Sequence, residues 1–240
     1  MKQRRADEYY HVHSNYPAII FGNGPSLDLV KGHEAVLNRE FITIGMNRSW
    51  RVYPNPNYHV VMFHWEHLDD LSKGKWVPST GCTIWAFKDY CEMYLREVSQ
   101  GNVVYVPSVA NPDEEMHNYN LAGMLSCDVA EGSFADMTGH FGLEVALYLG
   151  CNPIYLVGYD LYGGHFDDKL KPEDEWREVQ VELFEYAAKQ IKDEFKDRQV
   201  YNLNPNSVIE GFEKKEITEV LGEPGGTRRL VDGGTENVKL

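Results

Sequence analysis

Pro-Ala-Ile-Ile-Phe-Gly-Asn-Gly-Pro-Ser-Leu, residues 17–27, is the stretch that decides the fold class. The apolar run Ala18, Ile19, Ile20, Phe21 stops at Gly22-Asn23-Gly24-Pro25, and an amphipathic pattern starts at Leu27. That order predicts a buried strand, a tight turn and a helix start. Gly22 and Gly24 admit positive φ and the close approach of a ligand to the backbone. Pro25 suits a first helical turn, where its missing N–H costs nothing. Ser26 offers a helix cap or a free hydroxyl. The unpaired N–H groups of such a helix start favour an anion, a phosphate above all. The plain alternative is an ordinary strand-to-helix turn, since short glycine motifs are common.

Outward from this unit, strand-like runs recur at Phe41–Ile44, His59–Phe63, Thr83–Phe87, Val103–Val106, Ile154–Val157 and Val200–Leu203. Helical patterns cover Leu27–Leu37, Trp65–Leu71, Lys88–Val98, Thr138–Leu149 and Glu173–Phe195. Alternating units of this kind predict an α/β fold: a Rossmann-like three-layer sandwich, its mostly parallel sheet covered by helices on both faces. Right-handed crossovers bring the loops after the strands to one edge, where ligands bind. The expected organisation is an N-terminal extension (1–16), a single nucleotide-binding domain (17–221) and a tail rich in glycine and charge (222–240). The tail reads as flexible, or as an arm against a second subunit in a homo-oligomer.

Composition narrows the function. The 240 residues are 42% hydrophobic and 25% charged, which is globular. A formal charge of −14 excludes the basic footprint of a nucleic-acid binder and opposes docking on an anionic membrane. No apolar segment reaches transmembrane length, and Met1–Tyr10 lacks the apolar core of a signal peptide. Cys82, Cys91, Cys127 and Cys151 form no Cys-x-x-Cys pair, so free thiols in a reducing cytoplasm are expected.

Three further candidates follow strands. Asn47 and Arg48 leave the second strand; an amide suits a base or ribose, and a guanidinium suits phosphate. Thr138 and Gly139 open a helix with small residues, again an anion-ready cluster of amides. The neighbouring His140 reads first as a packed histidine. Gly158-Tyr159-Asp160 follows the Ile154–Val157 run, and Asp160 stands where open α/β sheets place catalytic or ribose-binding carboxylates. Its plain alternative is a turn cap. Beyond it, residues 158–172 read as a lid loop with hinges at Gly163 and Gly164. His165 has the pKa of a general base, and Asp167 with Asp168 suits Mg²⁺ or simple solvation.

Taken in order, Phe-Gly-Asn-Gly-Pro-Ser-Leu (21–27), Asn47, Thr138-Gly139, Ala-Leu-Tyr-Leu-Gly-Cys-Asn-Pro-Ile-Tyr-Leu-Val-Gly-Tyr-Asp-Leu-Tyr (146–162) and Asn-Pro-Asn-Ser (204–207) form a recognisable set. The set resembles the bacterial lipo-oligosaccharide sialyltransferases that use CMP-sialic acid, from about Pro17 to Phe212, with 64–134 unmatched. A wider resemblance, through the Gly-x-Gly-Pro-Ser-Leu turn, is to motility-associated-factor glycosyltransferase-like proteins and archaeal hydroxymethylpterin diphosphokinases. The first resemblance implies transfer of a sugar from a nucleotide-activated donor to a glycan acceptor by direct displacement, without a metal cofactor, in lipopolysaccharide biosynthesis. It implicates Gly22, Asn23, Gly24, Ser26, Asn47, Thr138, Gly139, Gly158, Asn206 and Ser207 in holding the nucleotide. It implies a histidine base, for which His165 is the choice, near Asp160. It also implies tyrosines that assist the departing phosphate, for which Tyr159 and Tyr162 are at hand.

The sequence departs from that pattern. Only residues 161–204 separate Asp160 from Pro205 of the late Asn-Pro-Asn-Ser, so the lid is much shortened and His165 lies closer to the aspartate than the pattern wants. Two other readings stay open. One is a Mg²⁺-dependent diphosphokinase of the pterin type, with Asp160, Asp167 and Asp168 around metal and ATP. The other is a nucleotide- or glycan-binding protein without catalysis.

Overall fold

The computed structural model of the chain describes residues 2–62, 70, 73–95, 101–107, 125–126, 133, 137–162 and 174–223. The expected helix over residues 65–71 lies almost wholly outside them, as do Gly163, Gly164, His165, Asp167, Asp168, Cys127 and the tail from 224. The strands are β1 (Lys2–Arg4), β2 (Ala18–Phe21), β3 (Ile42–Met46), β4 (Tyr58–Val61), β5 (Thr83–Phe87), β6 (Asn102–Val106), β7 (Ile154–Val157), β8 (Val200–Asn202) and β9 (Glu213–Lys214). They form one sheet in the order β1-β6-β5-β4-β3-β2-β7-β8-β9. Each described pairing is parallel.

The order fixes where a ligand can sit. From β2 the chain runs outward through β3, β4, β5 and β6, then returns to place β7 on the other side of β2. The strand order therefore reverses between β2 and β7, and open α/β sheets bind ligands outside the strand ends at that point. Phe21 pairs with Val157 there, so Gly22 and Gly158 leave the sheet side by side.

Burial on both faces explains the apolar runs. One face carries Ile20, Ile44, Met46, Val60, Trp85 and Leu156, packed against the helices Thr138–Tyr148 and Asp174–Glu194. The other carries Ile19, Phe21 and Val157 against Leu27, Val36 and Leu37. Farther along that face, Ile84 and Ala86 meet Cys91 and Leu95 of the helix Lys88–Leu95. Fully burying side chains such as Ile19, Ile20 and Phe21 stabilises the fold by about 1.5–3 kcal/mol each.

Two local expectations change. The Leu27–Leu37 pattern is not one helix: a 3-10 turn spans Pro25–Val30 and an α-helix follows at Glu34–Glu40. Gly32, at φ 85°, breaks the two apart. The N-terminal extension is built into the domain through β1, which pairs with β6. Past β1, the N–H groups of His11, His13 and Asn15 donate to the carbonyls of Tyr148, Leu149 and Gly150. They supply partners for carbonyls that the end of a helix leaves unpaired.

Candidate functional site

The turn after β2 and the turn after β7 are locked together by their backbones. Gly22 N–H donates to the Val157 carbonyl at 2.7 Å, and Gly24 N–H donates to the Gly158 carbonyl at 2.8 Å. A Cβ on Gly24 would lie 2.8 Å from the Gly158 oxygen, and one on Gly158 would lie 2.8 Å from the Gly22 carbonyl carbon. Glycine is needed at 22 and 24 for this approach rather than for positive φ; Gly24 caps the 3-10 turn at φ −71°. The left-handed conformation falls instead to Gly158, at φ 76°.

Ser26 and Asp160 complete the lock, 134 residues apart. Ser26 N–H donates to Asp160 Oδ2 at 3.0 Å, and Gly158 N–H donates to Ser26 Oγ at 2.9 Å. The serine hydroxyl is thus a brace between turns and not a helix cap. Asp160 Oδ1 accepts from Asn204 Nδ2, which also reaches Tyr162 Oη at 3.3 Å. Asp160 is wholly buried. Burial pushes its carboxyl above the ordinary carboxylate range, and the bonds from Ser26 and Asn204 oppose that shift. This carboxylate, expected at the chemistry, is engaged in holding three loops together.

Other expected site residues divide the same way. Tyr159 is buried, and its hydroxyl donates to the Gly139 carbonyl at 3.1 Å. Burial raises that hydroxyl well above its usual pKa. Ser207 Oγ donates to the Tyr159 carbonyl at 2.7 Å, so Ser207 secures the loop after β8 rather than facing solvent. Asn206 is exposed, and its N–H donates to Asn204 Oδ1 at 3.0 Å. Tyr162 is half-buried at the rim. Asn202 and Asn204 are scaffold residues that sequence reasoning misses, although Asn204 begins the Asn-Pro-Asn-Ser stretch.

Three features at the strand-end edge are not tied up in this lock. The helix Thr138–Tyr148 runs back along the sheet, so its start lies at the strand-end edge, with Gly139 near Tyr159 and Gly142 against Ile20 and Met46. Met137, not Thr138, occupies its cap position, and no side chain caps it. Asn47 leaves β3 at φ 48°, and its buried carboxamide oxygen has no partner. The buried carboxamide oxygen of Asn23, in the turn after β2, likewise has none. Buried acceptors of this kind are costly unless something donates to them. Two asparagine oxygens and a helix start thus belong to the strand-end edge that holds the β2–β7 switch point. His140 is wholly buried against Phe184 with ring centroids 4.5 Å apart, the packed histidine of the plain reading.

Arg48 is tied to Asp70, with Nε 3.1 Å from Oδ2, and Lys75 joins the same carboxylate. Among the described residues, no three His, Cys, Asp or Glu side chains group as a metal site. No helix among them is long and apolar enough to cross a membrane.

No family model matches the sequence, and neither does any curated protein. Solved structures do. The Maf glycosyltransferase from Magnetospirillum magneticum AMB-1 superposes with a TM-score of 0.62 at 16% identity, over 86% of this chain and 35% of that one. The chain thus spans about a third of the length of that enzyme. The sialyltransferase CstII from Campylobacter jejuni, solved with the substrate analogue CMP-3FNeuAc, matches at TM-score 0.46 and 14% identity over 93% of each chain. A structure of the same sialyltransferase with a trisaccharide acceptor and CMP gives 0.47 and 15% over 89% of each. The Maf likeness establishes a shared fold: a parallel α/β sheet that glycosyltransferases use. Fold alone does not assign the reaction.

Proposed function

We propose that the chain is a glycosyltransferase that binds a nucleotide-activated sugar, with CMP as the favoured nucleotide, and passes the sugar to a glycan hydroxyl. The observation that carries this is the pair of partnerless carboxamide oxygens, Asn23 and Asn47, beside an uncapped helix start at the sheet's switch point. The Thr138 hydroxyl and the first amides of its helix would hold the phosphate. The asparagine oxygens would accept from base or ribose. Ser26, Asp160, Gly158, Tyr159 and Ser207 keep the two turns in register, so their contribution is preorganisation. Tyr162 stands at the rim, where a hydroxyl can donate to a departing phosphate. His165 is the proposed base, taking the acceptor proton as its oxygen attacks the anomeric carbon. In this reading the donor is the substrate, and the proposed chemistry draws on no resident cofactor.

The diphosphokinase reading would route metal through Asp160, whose oxygens already accept from Ser26 and Asn204. A thermal-shift panel of CMP, CDP, UDP, GDP and ATP, each with and without Mg²⁺, separates the two. CMP is expected to stabilise without metal, by about 2.7 kcal/mol at a hundredfold excess over Kd. Stabilisation by ATP with Mg²⁺ alone, abolished by EDTA, overturns the proposal in favour of the kinase.

A further inference from the structure

We infer that Ser133 and Glu144 are a positioning pair for the nucleotide pocket: the hydrogen bond between them, with that of Ser133 to the end of β6, fixes the chain entering the helix Thr138–Tyr148 and so aims the helix start at the phosphate. The inference rests on that helix start being the phosphate site.

Glu144 is the starting point. It is wholly buried in a helix whose neighbouring positions Phe141, Leu143, Val145 and Ala146 are apolar and wholly buried as well. A carboxyl group in such surroundings is costly unless its oxygens are satisfied. Here Oε1 accepts from Ser126 N–H at 2.8 Å, and Oε2 accepts from Ser133 Oγ. Ser133 is itself 1% exposed. Its N–H donates to the carbonyl of Pro107 at 3.0 Å, one residue past the end of β6. One buried serine thus joins a strand end of the sheet to the second turn of the helix. Leu125 is tied separately, to the helix Asp174–Glu194. Its N–H donates to Gln190 Oε1 at 2.7 Å, and its carbonyl accepts from Gln190 Nε2 at 3.0 Å.

The helix start needs such a hold. No side chain caps it at Met137, so the usual device that fixes a helix entry is missing. Ser133 supplies a substitute, and its bonds to the Glu144 carboxylate and the Pro107 carbonyl engage none of the helix's first N–H groups. Ser133 stands four residues before Met137. A chain of that length spans at most about 14 Å, so a fixed Ser133 limits how far Met137 and Thr138 can drift. The first amides and the Thr138 hydroxyl are thereby preorganised by groups that do not compete with a phosphate for them.

The test uses the full chain, with CMP as the probe. Ser133→Ala removes the hydroxyl and keeps the backbone bond to Pro107. It should displace the Thr138 and Gly139 amide resonances and weaken CMP binding by about three- to tenfold in calorimetry, as loss of one supporting hydrogen bond does. Gln190→Met is the control. It releases Leu125, and so costs stability as Ser133→Ala does, but it leaves the helix entry alone. The same resonances should stay in place, and CMP affinity should stay within about twofold of the parent. Equal effects of the two variants on CMP binding overturn the inference, because a merely structural role would move both. So does a folded Ser133→Ala variant with parental resonances and affinity while Thr138→Val weakens binding. If the parent binds no CMP yet Ser133→Ala alone displaces the Thr138 and Gly139 amides, the nucleotide reading fails and the hold of Ser133 and Glu144 on the helix start stands. Should Ser133→Ala not fold, Ser133→Cys takes its place, since a thiol is a weak donor of similar size. A folded Cys variant with parental amide resonances and affinity refutes the inference.

Discussion

Replacing Asp160 by asparagine changes one atom and should still cost the fold about 1–2 kcal/mol at pH 7. The carboxylate accepts from Ser26 N–H at 3.0 Å on one oxygen and from the Asn204 amide on the other. Both partners are donors, whereas a carboxamide has one acceptor end. If the substituted carboxamide keeps its oxygen toward Ser26, its NH₂ meets the Asn204 NH₂. Turning the Asn204 amide to relieve this gives up the bond from Asn206 N–H to Asn204 Oδ1, now at 3.0 Å. One buried bond is lost either way, and a bond to a charged group contributes about 1.5–3 kcal/mol. Against this, the variant escapes the penalty of burying a charge, the cause that raises the Asp160 pKa. The lost bond counts for more here because it also leaves two amide donors facing each other in a buried site. For a domain of this size the loss lowers Tm by about 2–8 °C. The pH dependence gives a second check. A carboxyl with a raised folded pKa stabilises the parent most below its unfolded value, near 3.9, and that contribution fades as pH rises through the folded pKa. The gap between parent and Asp160→Asn should therefore widen as pH falls from 7 to 4, in thermal or urea unfolding. A variant as stable as the parent at pH 7, or more so, refutes the reasoning: charge burial, not hydrogen bonding, would then dominate at Asp160.

Other substitutions probe separate parts of the site. Thr138→Val should leave stability within about 0.5 kcal/mol, since no side chain caps that helix, yet weaken CMP binding by about 2–10-fold in calorimetry. Unchanged affinity would remove the hydroxyl from the pocket. Gly158→Ala should cost more than Gly222→Ala in urea unfolding, although both glycines sit at φ 76°. A Cβ at 158 strikes Gly22, whereas one at 222 meets nothing within 4 Å, so the difference, about 1–3 kcal/mol, isolates the collision. His140→Phe should flatten the acid limb of the stability curve. Burial pushes His140 down to about 4, so its neutral form stabilises the fold above pH 6.5 and that contribution is lost as pH falls toward 4. The parent should lose about 2 kcal/mol at pH 5 that the variant keeps; equal acid sensitivity of the two would exclude His140 as the cause.

Periodicity carried the centre of the fold and failed at its margins, for reasons visible in single strands. Ala18–Phe21, Thr83–Phe87 and Ile154–Val157 coincide with β2, β5 and β7 because strands buried on both faces must be continuous apolar runs. Lys2–Arg4 and Glu213–Lys214 have no such signature; as short outer strands they owe their pairing to β6 and β8. The split of Leu27–Leu37 turns on Gly32, which ends one helical segment before the next begins.

The site divides along a sharper line. Residues that must be small announce themselves locally, which is why the turns at Gly22–Gly24 and Gly158 and the helix start at Thr138-Gly139 were legible as local structure. What each of them touches is a tertiary fact. Ser26 and Asp160 read alone are a cap and a carboxylate poised for chemistry; together they are one joint between two turns. The same holds for Gly45 and His59, which no spacing connects until β3 and β4 are set in register. Among the buried polar atoms still without partners, the carboxamide oxygens of Asn23 and Asn47 are the two that follow β2 and β3 at the strand-end edge, whereas the Asp160 carboxylate is already engaged. An enzyme that stabilises charge developing on a departing phosphate gains from donors and acceptors already held in place, because nothing need reorganise as the bond breaks. A buried aspartate locked between serine and asparagine is one way to hold them.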